Sequence, residues 1–134
     1  MASFEIRTPA RCALLDVTAE VMRLAAASGL REGLCVVSSP HTTCGVTVNE
    51  GADPDVAADI LETLARLVPR SGSYRHAEGN SDAHVKTLLT GTSVTLPLAS
   101  GRPLLGTWQR VFLAEFDGPR TRTLHVTCVG RGLE

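Results

Sequence analysis

The chain has 134 residues, 43% of them hydrophobic and 20% charged, with a formal net charge of −1. That length and composition describe one globular domain able to bury a core without staples, and they exclude a disordered chain. A near-neutral balance argues against nucleic acid and the membrane surface as partners.

Phe4-Glu5-Ile6-Arg7 alternates like an edge strand, and "RCALLDVT" suits a second one. Thr18 is placed to cap a helix from Ala19 to about Ser28, with Gly29 as its stop. "GLCVVSS" reads as a buried strand, and "CGVTVNE" alternates Cys44, Val46 and Val48 against Gly45, Thr47 and Asn49. The clearest helix follows. Asp53 caps it, Pro54 suits its first position, and Val56, Ala57, Ile60, Leu61, Leu64 and Val68 share one apolar face. A shorter helix is expected from Ser81 to about Thr90, capped by Ser81 and closed by Gly91, with Val85, Leu88 and Leu89 packing inward. "TSVTLPL", "QRVFLAEF" and "TRTLHVTCV" complete the strands. The pattern predicts an α+β fold, a single domain over residues 1–134 with a mixed or antiparallel sheet and about three helices.

Cys12, Cys35, Cys44 and Cys128 form no Cys-x-x-Cys pair, and free thiols in a reduced compartment are expected. The N-terminus lacks the charged and apolar regions of a signal peptide, and no apolar run approaches spanning length. The expected location is the cytoplasm.

"RHAEGNSDAH" sets His76 and His84 around a polar, loop-prone stretch at a helix start. Backbone N–H groups near Gly79, Asn80 and Ser81 offer an anion site there, although no standard zinc spacing is present. His41 follows Pro40 at a strand end, and Asn49, Glu50, Asp53 and Asp55 come soon after; taken alone, these read as turn and helix-start residues. The only Trp, Trp108, reads as core. Glu115, Asp117, Arg120 and Arg122 around a hairpin read as a surface ion-pair group, and also as what a phosphate-bearing substrate requires. His125 reads as structural.

In order, "SPHTTCGVTVNE", "DPDVAADI", "HAEGNSDAHVKTLLTG", "GTWQRVFLAEFDGPRTR" and "HVTCVG" resemble the motifs of the YjbQ family over nearly the whole chain. The resemblance implies a compact α+β homotrimer with sites near subunit boundaries. It implies a catalytic group of His41, His76, His84, Glu50 and Asp55, with the three histidines also holding a divalent metal such as zinc. Asn49, Asn80, Ser81, Trp108, Gln109 and Arg122 would bind substrate. The implied activity is thiamine-phosphate synthase-like, possibly a secondary one, on a small phosphorylated substrate, with magnesium able to serve its diphosphate. The alternatives are a metal-dependent hydrolase and a non-catalytic protein that binds metal or an anionic metabolite.

Overall fold

A computed structural model describes residues 1–132. The strands are β1 (Ala2–Arg7), β2 (Ala13–Asp16), β3 (Leu30–Ser38), β4 (Cys44–Glu50), β5 (Ser93–Ala99), β6 (Arg102–Pro103), β7 (Gln109–Glu115) and β8 (Thr121–Gly132). The helices are α1 (Thr18–Ala27), α2 (Pro54–Leu67) and α3 (Ser81–Thr90). This is the expected α+β class, and every strand pairing is antiparallel.

The strands divide into two sheets, one of five strands in the order β1-β8-β3-β5-β6 and one of three in the order β2-β7-β4. The alternation of apolar residues explains how they stack. Leu124 and Val126 of β8, Val37 of β3 and Leu96 of β5 point inward from the larger sheet to meet Val46, Val111 and Leu113 of the smaller. Val21 and Ala25 of α1 join this core with no exposed surface. Leu14, Ala114 and Phe116 face the other way, toward Ala83 of α3 and Leu61 and Leu64 of α2. The layers are therefore sheet, sheet, helices. Gly33 and Gly130 oppose each other in the β3–β8 pairing, each at a φ near +150°, and a Cβ on either would collide with the opposing backbone.

Two helices depart from the expected pattern. Asp53 caps α2 as its sequence suggests, accepting from Asp55 N at 2.9 Å with Pro54 in the first turn. No residue of α2 is fully buried, however, so its apolar face only partly meets the sheet. In α3 the expected inward face is reversed. Leu88 and Leu89 are 80% and 58% exposed, while Asp82, Ala83, Lys86 and Thr87 are buried. The reversal is possible because the buried charges bring their own partners, described below. Ser81 is also not the cap: Asn80 holds that position, and its side chain makes no bond to the helix backbone. The first helix begins one residue earlier than expected, at Thr18, whose N–H donates to Asp16 Oδ1 at 2.9 Å.

Candidate functional site

Strand β7 carries one group of the expected residues at each end. At its start, the pairing with β4 sets Glu50 opposite Gln109 and Asn49 opposite Arg110. Trp108 lies just before it, 63% exposed, and its carbonyl accepts from Gly51 N at 2.9 Å. The core reading of Trp108 is thus corrected: the residue lies on the surface. Here the polar groups serve the backbone. Glu50 Oε2 accepts from Asp53 N at 3.0 Å, Asn49 Oδ1 from Glu50 N at 2.8 Å, and Gln109 Oε1 from Gly106 N at 2.7 Å. Asp55 is exposed in the first turn of α2.

At the far end, Glu115 and Arg122 join the two sheets. Arg122 Nε and Nη2 donate to Glu115 Oε1 and Oε2 at 2.9 and 2.5 Å, and Nη2 also donates to Thr43 Oγ1 at 2.9 Å. Thr8 Oγ1 donates to Glu115 Oε1 at 2.7 Å, and the N–H groups of Phe116 and Asp117 donate to Oε2. Side-chain exposure of 2% for Arg122 and 0% for Glu115 corrects the surface ion-pair reading for these two, whereas Arg120, 51% exposed, does pair with Asp117 Oδ2 at 3.2 Å. Burial alone would raise the Glu115 carboxyl, but the bonds from Arg122 and Thr8 outweigh it and hold the group below its ordinary value.

His41 sits beside this pair. Its Nε2 accepts from Thr123 N at 3.0 Å, so in the neutral ring the proton resides on Nδ1. Burial, and then the charge of Arg122, hold His41 below the ordinary histidine value.

A second buried charge group lies under α3. Arg11 donates to both oxygens of Asp82 at 3.1 and 3.0 Å, and Lys86 Nζ donates to Asp82 Oδ2 at 2.9 Å. Burial opposes ionisation of Asp82, but the bonds from Arg11 and Lys86 prevail and bring its pKa to about 2. Asn80 Nδ2 donates to Asp117 Oδ2 at 2.9 Å, while Asn80 Oδ1 is buried without a partner. Sequence reasoning gave Lys86, Asp82 and Arg11 no role. The available signal was a single lysine four residues after an aspartate in a chain whose other basic residues are all arginine.

The histidines do not converge. His76 and His84 meet edge to face with ring centroids 5.5 Å apart, and His76 Nε2 lies 3.7 Å from Glu78 Oε2. His41 instead spends Nε2 on the backbone of β8. Among the described residues, no group of three His, Cys, Asp or Glu side chains is placed to hold a metal ion.

A cavity of about 460 Å³ opens between α2, the end of α3 and the outer face of the smaller sheet, where the second half of β4 borders it. Leu14, Val56, Ile60, Leu64, Leu89, Ala114 and Phe116 form its apolar walls. Thr47, Asn49, Thr63, Thr90 and, as the only charged lining residue among those described, Asp59 supply its polar groups.

With this arrangement established, comparison with known proteins places the chain. A family model described as "UPF0047 protein YjbQ-like" matches residues 2–131. The chain belongs to the YjbQ-like UPF0047 family. A UPF0047 protein of Methanocaldococcus jannaschii is 46% identical over 127 residues, covering 95% of this chain and 92% of that one. The UPF0047 protein YugU of Bacillus subtilis is 40% identical over 131 residues, covering 97% and 99%. A crystal structure of a conserved YjbQ/UPF0047 family protein from Clostridium acetobutylicum matches with a TM-score of 0.94 and 42% identity, covering 96% of this chain and all of that one.

These names state a family and no reaction. The expectation of a thiamine-phosphate synthase-like enzyme with a histidine-centred metal site is therefore corrected. The relatives carry no such name, and the three histidines form no common centre. The metal-dependent hydrolase and the metal-binding protein rest on the same cluster and are corrected with it. No helix among the described residues is long and apolar enough to cross a membrane.

Proposed function

We propose that this YjbQ-like protein binds a small molecule with an apolar body and a cationic or hydrogen-bond-donating head in the groove beneath α2. The observation that carries this reading is the cavity beside a helix with no fully buried residue. An amphipathic helix of 14 residues ordinarily buries its apolar stripe, and here part of that stripe forms cavity wall. A volume of about 460 Å³ with apolar walls and a few polar groups suits a small ligand. The head-group preference follows from Asp59 and Asn49, since no lysine or arginine lines the groove.

A matched set of probes tests it: an aryl-alkyl amine, the carboxylate of equal size and the corresponding phosphate ester, each titrated by calorimetry. The amine is expected to bind tightest, and Asp59→Asn to weaken it by about tenfold, the loss of one charge-assisted bond. Equal binding of all three probes, or amine binding unchanged by both Asp59→Asn and a cavity-filling Ile60→Trp, would overturn the reading.

The same proposal includes self-association. Glu50 and Gln109 lie roughly 20 Å from Glu115, six strand steps along β7, so a metabolite-sized ligand cannot touch both ends within one chain. A ligand that touches both groups of residues therefore needs a second copy, as in the trimer that the family resemblance implies. Leu88 of α3 and Trp108 supply exposed apolar surface for such a contact. Light scattering is expected to give a multiple of the 14.2 kDa chain mass, reduced by Leu88→Asp. A monomer at micromolar concentration would remove the assembly and leave the groove reading standing.

A further inference from the structure

Four cysteines are free in this fold, but their surroundings differ. Cys12 lies between Arg11 and the carbonyl of Phe116, and Cys44 contacts the carbonyl of Gly45. Neither faces another thiol. Cys35 and Cys128 do, as direct partners in the antiparallel pairing of β3 with β8. Their neighbours Val37 and Val126 are also paired, and all four belong to the inward face. Directly opposed residues in an antiparallel pair have Cα atoms about 4.5–5.5 Å apart, within the span a disulfide requires. Their Cβ atoms are about as far apart as the Cα atoms, at or slightly beyond the usual disulfide spacing, so closure asks for a small inward shift of the two strands.

We propose that Cys35 and Cys128 are an oxidisable dithiol, which a peroxide converts to a cross-strand disulfide locking β3 to β8. The two sulfurs differ in access: Cys35 is fully buried and Cys128 is half-buried. Cys128 is thus the first to react. Its sulfur attacks one peroxide oxygen, the O–O bond breaks, and Cys128 becomes a sulfenic acid as one water leaves. The Cys35 sulfur then attacks the Cys128 sulfur, the S–O bond breaks, and a second water leaves. Two thiols have lost two electrons and hydrogen peroxide has gained them. Burial first, and the Cys128 sulfur second, push the Cys35 thiol up to about 12, so the second step is slow at neutral pH and quickens as pH rises. A bond that asks for strand adjustment is also readily reduced, which makes the device reversible.

The test is treatment of the folded, fully reduced protein with hydrogen peroxide, followed by denaturation under alkylation and peptide mapping. The expected result is a fall from four titratable thiols to two, a loss of two hydrogens in mass, and one linked pair of peptides containing Cys35 and Cys128. Dithiothreitol should restore all four. Cys128→Ser should abolish the link, and Cys35→Ser should stop the reaction at an oxygen adduct on Cys128, while Cys12→Ser and Cys44→Ser leave the link unchanged. Linkage through Cys12 or Cys44, or oxygen adducts without a cross-link in the wild-type protein, would overturn the proposal. The wild-type map decides the matter even where a variant fails to fold.

Discussion

The Asp82 group permits a sharp test because its charges are unequal: one carboxylate faces two cations, Arg11 and Lys86. Asp82→Asn leaves Lys86, with 4% side-chain exposure, and Arg11, with 22%, without their counter-ion. Breaking a buried pair in this way costs about 3–5 kcal/mol. Lys86→Met removes the surplus cation, keeps the two-bond Arg11–Asp82 pair and fills similar space, so its cost should be near 1 kcal/mol. The titration gives an independent check. The Asp82 carboxyl, ordinarily near 3.8, is held at about 2 in the folded protein. A depressed pKa contributes stability that is complete above the unfolded value and lost as pH falls through the folded one. Its size is about 2 kcal/mol, at 1.36 kcal/mol per pH unit. Urea unfolding across this range should therefore show the gap between wild type and Asp82→Asn narrowing by that amount from about pH 4 to about pH 2. Equal cost of the two variants at neutral pH, or a gap that does not change with pH, would refute the reasoning.

Arg122→Met should cost about 3–5 kcal/mol, because it strands the fully buried Glu115, and adding Glu115→Leu should recover part of that in the same unfolding assay. Ser81→Ala should change stability by less than about 0.5 kcal/mol, since Ser81 makes no capping bond, whereas Asn80→Ala should cost about 1 kcal/mol through the lost bond to Asp117; thermal melts compare them. His41 should titrate below an ordinary histidine's value of about 6.5, with the proton of the neutral ring on Nδ1, as ring-nitrogen NMR reports. Because its folded pKa is lowered, His41 favours the fold while neutral, and acidification below about pH 6.5 should erode that share; titration at or above 6.5 contradicts this.

Much of the architecture was legible in the sequence because it rests on local rules. Asp53 and Pro54 announce the start of α2, Gly91 closes α3, and the β-branched runs became strands close to their expected bounds. Partition of those strands into two sheets was not legible, since antiparallel pairing is set by contacts distant in sequence. The buried face of α3 is not legible in the sequence for a related reason. Periodicity assigns Leu88 and Leu89 to the core and Lys86 to solvent, yet Arg11, 71 residues before Asp82 in the chain, completes a paired group that makes the polar face the buried one. The hairpin acids and arginines followed the same logic. Glu115 and Arg122 are seven positions apart and look like surface charges until two sheets close over them. Motif order alone identified the family and singled out the polar residues, but it carried no distances. Only the tertiary structure separates Trp108 and Glu50 from Arg122 by the length of β7, turns His41 toward the backbone of β8, and sets Cys35 against Cys128. Local signals in a chain determine its elements, while burial, pairing and separation belong to contacts that form only when distant segments meet.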